Sequence, residues 1–207
     1  MLVTNGSRLT EDYLQKLKPV LDWICLSIDS VDTFVNEAAG RKQSGQPAFH
    51  AAVYMELVRM IKDSGFRFKI NTVVHAFNCN EDISAFIKMA SPERWKLFRV
   101  LPVEGQNNGM SNPMLITSEQ FASYVNRHKQ AGLLPVAEDN EDMQGSYAMV
   151  DPAGRFYDSS KGYHIYSEPI LQCGVAAAYA QVTINRNKFN LRGGNYPWKS
   201  NESESIL

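Results

Sequence analysis

The sequence predicts an α/β protein built from parallel βα units, on three observations. Short apolar stretches at Leu2-Val3-Thr4, Ile24 to Asp29, Phe66 to Val74 and Arg94 to Phe98 alternate with segments of helical periodicity. Turn and stop residues, Asn5-Gly6-Ser7, Gly65, Pro92 and Gly132, separate them. In the internal strands one set of alternate side chains is apolar and the other polar or charged. Strands that alternate with helices imply right-handed crossovers, in an open sheet or a barrel.

The elements follow in order. Leu2 to Thr4 forms a strand that runs into the Asn5-Gly6-Ser7 turn. A helix begins near Thr10, with Leu14, Leu17 and Leu21 on one face, and Pro19 weakens its last turns. The next strand sets Ile24, Leu26 and Ile28 against Cys25, Ser27 and Asp29. A polar loop carries Gly40-Arg41-Lys42-Gln43-Ser44-Gly45. Phe49 to Ser64 reads as a helix on Val53, Leu57 and Met60, stopped by Gly65. The strand after it sets Phe66, Phe68 and Ile70 against Lys69 and Asn71. A helix from near Asn80 uses Ile83, Phe86 and Ile87 and ends before Pro92. Arg94 and Lys96 then share one strand face, and Trp95 and Leu97 the other, before Val103-Glu104-Gly105. Thr117 and Gln120 are spaced as a capping box for a helix that ends at Gly132. Beyond it, Ser146 to Val150, Asp151-Pro152-Ala153-Gly154 and Arg155 to Tyr157 predict a hairpin, followed by a helix near Ile170 to Gln181. Arg192 to Trp198 reads as ordered, and Ser200 to Leu207 as a frayed end.

Composition narrows the function classes. Lys and Arg number 21 and Asp and Glu 22, so bulk charge gives no reason to expect nucleic acid or an anionic membrane as partner. Cys25, Cys79 and Cys173 are too few and too scattered for a disulfide framework, and a reducing cytoplasm is the simplest setting. No basic stretch followed by an apolar run opens the chain, and no run of about 18 apolar residues suggests a membrane span.

The polar strand faces carry the functional signal. If helices cover the apolar faces, then Ser27, Asp29, Lys69, Asn71, Arg94 and Lys96 point into the interior. Buried cations without a counterion cost several kcal/mol each, so an anion belongs among them. Arg supplies a bidentate fork and Lys a point charge, which suits phosphates at the C-terminal strand ends of a barrel. An antiparallel sheet with one wet face gives the same alternation without that cost. A structural ion pair of Lys69 or Lys96 with Asp29 or Glu104 is another plain reading. The histidines His50, His75, His128 and His164 show no metal spacing, so no metal ligand is expected, and no glycine-rich dinucleotide or P-loop motif occurs. Gly193-Gly194 suits a turn, and Cys79 has no His or Asn partner that would mark a nucleophile.

Several stretches, taken in their order and spacing, resemble the viperins. They are Val3-Thr4-Asn5-Gly6-Ser7, Ser27-Ile28-Asp29-Ser30, Gly40-Arg41-Lys42, Phe68-Lys69-Ile70-Asn71, Asn78-Cys79-Asn80-Glu81-Asp82, Ser91-Pro92-Glu93-Arg94-Trp95-Lys96, Val103-Glu104-Gly105, Ser146-Tyr147, Arg155-Phe156 and Arg192-Gly193-Gly194-Asn195-Tyr196. The resemblance implies a partial (βα)6 TIM-like barrel of the radical S-adenosylmethionine type that lacks its first βα units. Residues 1–135 would form the barrel part, and 136–207 a C-terminal extension closing the substrate site. It implies an antiviral enzyme that uses S-adenosylmethionine and a 4Fe–4S cluster to convert a ribonucleoside triphosphate (CTP, UTP or GTP) to its 3′-deoxy-3′,4′-didehydro analogue. A flavodoxin or ferredoxin would be the reductant. Carried over by position, Asn5, Ser27 and Arg41 belong to the S-adenosylmethionine side. Lys69, Asn71, Arg94, Lys96 and Lys161 belong to the triphosphate, and Tyr147 is the catalytic candidate beside the sugar.

The sequence departs from the family decisively in two motifs. The C-x3-C-x2-C cluster motif and the glycine-rich motif for the methionine end of the cofactor are both missing. Without a cluster these 207 residues are expected to be inactive alone. A piece of a longer enzyme, a non-catalytic nucleotide-binding remnant, and a phosphate-binding α/β enzyme of another class are the three readings this leaves.

Overall fold

The computed structural model describes residues 1–107 and 112–191. Strands β1 (Leu2–Thr4), β2 (Trp23–Ser27), β3 (Arg67–Val74), β4 (Arg94–Arg99) and β5 (Val136–Glu138) form one sheet in sequence order. Every neighbouring pair is parallel, which removes the antiparallel alternative. Crossovers carry helices α1 (Glu11–Leu17), α2 (Thr33–Ala38), α3 (Ala51–Asp63), α4 (Ser84–Ala90) and α5 (Ser118–Gln130). The core is the seam between strands and helices. Ile24, Leu26, Phe68, Ile70 and Leu97 pack there with Leu14, Ile61, Phe86 and Tyr124. These are the apolar sets that alternation assigned to the helix side, and each buried Leu or Ile stabilises by about 1.5–3 kcal/mol.

Local chemistry sets the helix ends. Thr10 caps α1, its Oγ1 accepting from the Tyr13 N–H at 3.1 Å. Both bonds of the Thr117/Gln120 capping box are present at α5. Helix α4 stops at Ser91, a non-glycine residue at φ 41°, where Pro92 disfavours a right-handed helical residue before it.

Two elements of the sheet layer were not expected. Helix α2 is six residues long, and its Phe34 is 82% exposed, so it has no apolar stripe to detect. It forms on the cap of Asp32, whose Oδ1 accepts from the Phe34 N–H at 2.7 Å. Strand β5 has three residues, too few to show a period, yet it extends the sheet beyond β4.

Beyond β5 come α6 (Asn140–Met143) and an antiparallel sheet of β6 (Met149–Val150), β7 (Arg155–Asp158) and β8 (Ile165–Pro169). The first two are the expected hairpin, closed by the Gly154 N–H donating to Asp151 O at 2.9 Å. The third strand was not expected. The single helix expected near Ile170 to Gln181 is two, α7 (Ile170–Cys173) and α8 (Val175–Tyr179), parted at Gly174 with φ 83°. Helix α9 (Arg186–Leu191) follows. The Glu104 N–H donates to Gly162 O at 3.1 Å, tying this extension to the loop after β4. The Arg192 to Trp198 reading, with Gly193-Gly194, and the Ser200 to Leu207 reading fall outside the described residues. Among the described residues no helix is long and apolar enough to cross a membrane.

Candidate functional site

Parallel register stacks the inward side chains in layers. Cys25 stands beside Lys69, and Lys69 beside Arg94. Two residues on, Ser27 stands beside Asn71, Asn71 beside Lys96, and Lys96 beside Val136. The residues singled out in three strands therefore share one sheet face, opposite the helix-side core. Lys69 is 6% exposed and Lys96 5%, while Arg94 is half-buried. Asn71 Oδ1 is shut off from solvent with no hydrogen-bond partner among the described residues. Lys69 and Arg94 start one layer, roughly 6.6 Å, nearer the strand N-termini than Asn71 and Lys96. Their long stems must span that layer to meet a ligand at the C-terminal ends.

The ion pairs are not those of the structural reading. Asp29 pairs with Arg41, Nε to Oδ2 at 2.5 Å, rather than with Lys69 or Lys96. Lys96 pairs with Glu138 at the end of β5, not with Glu104. The physical reason is register: Glu138 stands beside Phe98, one layer above Lys96 on the adjoining strand. Glu138 is fully buried, and it also accepts a hydrogen bond from the Tyr147 hydroxyl. The Tyr147 ring centroid lies 6.0 Å from Lys96 Nζ. The local chain delivers Tyr147 there: Gly145 turns at φ 68°, its carbonyl accepts from the Asn185 N–H at 2.8 Å, and Ser146 bonds back to Met143 O. Tyr147 thus comes together with Lys96 through an acid that sequence reasoning did not single out.

At the C-terminal ends of β1 and β2, Asn5, Ser27 and Arg41 line a cavity of about 160 Å³, with Asp29, Phe49 and Tyr54 among its other walls. Asn5 is fixed by accepting the Ser7 N–H at 3.0 Å. Burial pushes the Tyr54 phenol up to about 12, with the Asp29 charge adding to it. Phe49 meets Tyr54 edge to face, with centroids 5.6 Å apart. An amide, hydroxyls, a guanidinium, a carboxylate and aromatic walls suit an amphiphilic zwitterion better than a bare phosphate.

Lys161 is exposed on the turn after β7, next to Gly162, whose carbonyl accepts the Glu104 N–H. Burial pushes Asp158 up, but hydrogen bonds from Ser160 and Thr183 and the Lys161 charge together hold it below the usual carboxylate range. Cys25 and Cys79 are buried on β2 and after β3, and Cys173 is on α7. Among the described residues no three His, Cys, Asp or Glu side chains converge to hold a metal ion. These residues do not fit an iron–sulfur cluster.

Comparison with known proteins decides the family. A curated S-adenosylmethionine-dependent nucleotide dehydratase from Flammeovirga pacifica is 45% identical over 201 residues, 96% of this chain and 68% of that protein. The chain belongs to this viperin-like family. A second S-adenosylmethionine-dependent nucleotide dehydratase, from Lacinutrix mariniflava, is 42% identical over the whole chain but matches over 43% of its own length. The chain thus spans about two-fifths of one of these dehydratases and two-thirds of the other. No protein-family profile matches it. Among solved structures, native anSMEcpe with bound AdoMet superposes with a TM-score of 0.63 at 13% identity, over 92% of this chain and 57% of that one. At that identity the likeness concerns the fold, which is a partial TIM-like barrel of the radical S-adenosylmethionine type. Of the candidate site, alternation singled out Lys69, Lys96, Arg94 and Asn71, and the family resemblance pointed to Tyr147. Glu138, Phe49 and Tyr54 were missed, and only the tertiary fold brings them in.

Proposed function

We propose that this chain carries the cofactor and substrate pockets of a viperin-like nucleotide dehydratase acting on a ribonucleoside triphosphate. S-adenosylmethionine sits over Asn5, Ser27 and Arg41, where the mixed polar and aromatic cavity fits its zwitterionic and nucleoside parts. When bound it supplies the reactive adenosyl group. The triphosphate meets Lys69, Asn71, Arg94 and Lys96, with Lys161 approaching from the extension and the sugar toward Tyr147. Lys and Arg heads held in a water-poor site make strong charge-assisted bonds to phosphate oxygens. Asn71 offers one amide to a sugar hydroxyl or a phosphate, according to which way it is turned.

The observation that carries this reading is the in-register row Ser27–Asn71–Lys96, which joins the cofactor-side cavity to the cationic face. The chain's own cysteines do not gather, so cluster chemistry, turnover and the cytoplasmic reductant belong to the longer protein. The product, a 3′-deoxy-3′,4′-didehydro nucleotide of antiviral use, is part of the same proposal. Calorimetry on a protein completed to the length of its relatives tests it. Lys69→Met should weaken ribonucleoside triphosphate binding at least about tenfold and leave S-adenosylmethionine within twofold. Equal losses for both ligands would remove the triphosphate role.

A further inference from the structure

Glu138 lies between two groups to which the proposed function gives separate tasks. Its Oε1 faces the Lys96 ammonium, and its Oε2 accepts the Tyr147 hydroxyl proton in a hydrogen bond. It is fully buried, and Lys96 is 5% exposed, so water does little to screen the three groups from one another. Lys96 and Glu138 belong to the parallel sheet, whereas Tyr147 belongs to the extension. The parallel sheet runs through Glu138, three residues past the expected boundary at 135, and this carboxylate joins it to the segment after β5.

Resting on the triphosphate reading above, we propose that Glu138 is a positioning residue that couples occupancy of the polyphosphate site to the setting of Tyr147. A buried carboxylate divides its charge between its partners. An anion arriving at Lys96 competes with Glu138 for the ammonium. As the Lys96 bond loosens, more of the carboxylate charge falls on the phenol, and the Tyr147 bond strengthens. The phenol proton, already directed at Glu138 in the unliganded chain, is then held there more firmly, with the oxygen lone pairs toward the sugar side, when the phosphates are in place. A counterion that merely neutralised Lys96 would do none of this. The two roles separate because the counterion role predicts a change in binding alone.

The test uses the 207-residue chain, with tyrosines labelled with carbon-13 at the ring ζ carbon, and inorganic tripolyphosphate as the probe. Tyr147→Phe assigns the signal. In the unsubstituted chain, tripolyphosphate should shift the Tyr147 signal. Glu138→Gln should move the unliganded signal and abolish the ligand-induced shift. It should also tighten tripolyphosphate binding by up to about tenfold, because a competing negative charge is gone. Affinity and positioning then respond in opposite directions. A ligand-induced shift that persists in Glu138→Gln overturns the coupling and leaves Glu138 a counterion. Absence of tripolyphosphate binding in the unsubstituted chain overturns the triphosphate site itself, and the coupling with it. If Glu138→Gln does not fold, the double variant Lys96→Met/Glu138→Gln removes both charges. There the Tyr147 signal should ignore tripolyphosphate held by the remaining cations, and a retained response sinks the proposal.

Discussion

Asp29 anchors Arg41 to the sheet. Its Oδ2 lies 2.5 Å from Arg41 Nε, while its Oδ1 accepts the Val73 N–H at 2.8 Å. Asp29 is 4% exposed, and the Arg41 side chain is about half exposed, at 48%. One carboxylate thus stitches β2 to β3 and holds a loop cation at the cavity wall. Asn78 reinforces the arrangement, donating through Nδ2 to Asp29 O at 2.8 Å and Val73 O at 2.9 Å.

Replacing Asp29 separates these tasks. Asp29→Asn keeps an oxygen for the Val73 N–H but loses the ion pair, so stability should fall modestly and S-adenosylmethionine affinity by about tenfold. Asp29→Ala removes both and leaves a buried donor without a partner, so it should cost about 1–3 kcal/mol more. Urea midpoints and calorimetric titrations check the two readouts. An Asn variant with unchanged cofactor affinity would show that Arg41 is placed by something else.

Gly6 closes the β1 turn beside Asn5. It sits at φ 85°, and an added Cβ would lie 2.6 Å from Leu57 Cδ1 and 3.3 Å from Leu26 Cδ2. Gly6→Ala should therefore destabilise by about 2–4 kcal/mol, from left-handed strain plus overpacking. Gly132 has a similar φ, 83°, but a Cβ added there would meet nothing within 4 Å. Gly132→Ala should cost only the conformational part, about 1–2 kcal/mol. Denaturation of the two variants side by side measures the difference, and equal costs would mean that Leu57 yields freely.

How much of this was legible follows from the range of each signal. Strand β3 has eight residues, long enough for a period of two to separate Lys69 and Asn71 from Phe68 and Ile70. The inward face could be read from that. Register could not, because nothing local says that Asn71 stands beside Lys96 and Ser27. Counterion choice was hidden for the same reason. Asp29 finds Arg41 on a loop, and Lys96 finds Glu138 on a strand of three residues, where alternation has no statistical weight. Tyr147 follows a glycine turn and a four-residue helix, with no periodicity of its own, and only resemblance to known proteins marked it.

Cys25 is in the interior layer with Lys69, yet it should behave as an inert thiol. Burial pushes it up to about 11, although the Lys69 charge, a backbone bond at Asn71 and the Lys96 charge all act the other way. At neutral pH it stays a thiol, and it has no exposed surface. A thiol reagent applied to the native chain should label Cys173 first, the half-buried one, and reach Cys25 only on unfolding. Peptide mass spectrometry over time checks the order. Native labelling of Cys25 at a rate near that of Cys173 would contradict the burial account.

His128 makes stability depend on pH. Its Nε2 accepts the Ile83 N–H at 3.2 Å, so the proton of the neutral ring is on Nδ1, which donates to Tyr124 O at 2.8 Å. Burial pushes the imidazole below its ordinary 6.5, although the Tyr124 bond and the Asp82 charge act the other way. A second proton would place a donor against the Ile83 N–H, between the Trp95 and Tyr124 rings. The unfolded chain takes up that proton as pH falls past the ordinary value, while the folded chain resists. The stabilising contribution is therefore complete above that value and is lost as pH falls below it. His75, which burial also pushes down, adds a slope of the same sign. The urea midpoint should drop between about pH 7.5 and about pH 5.5, by less in His128→Gln, which keeps an acceptor but cannot titrate. The residual slope in that variant is the share left to His75 and the carboxylates, and an unchanged drop would show that His128 is not a source of the acid sensitivity.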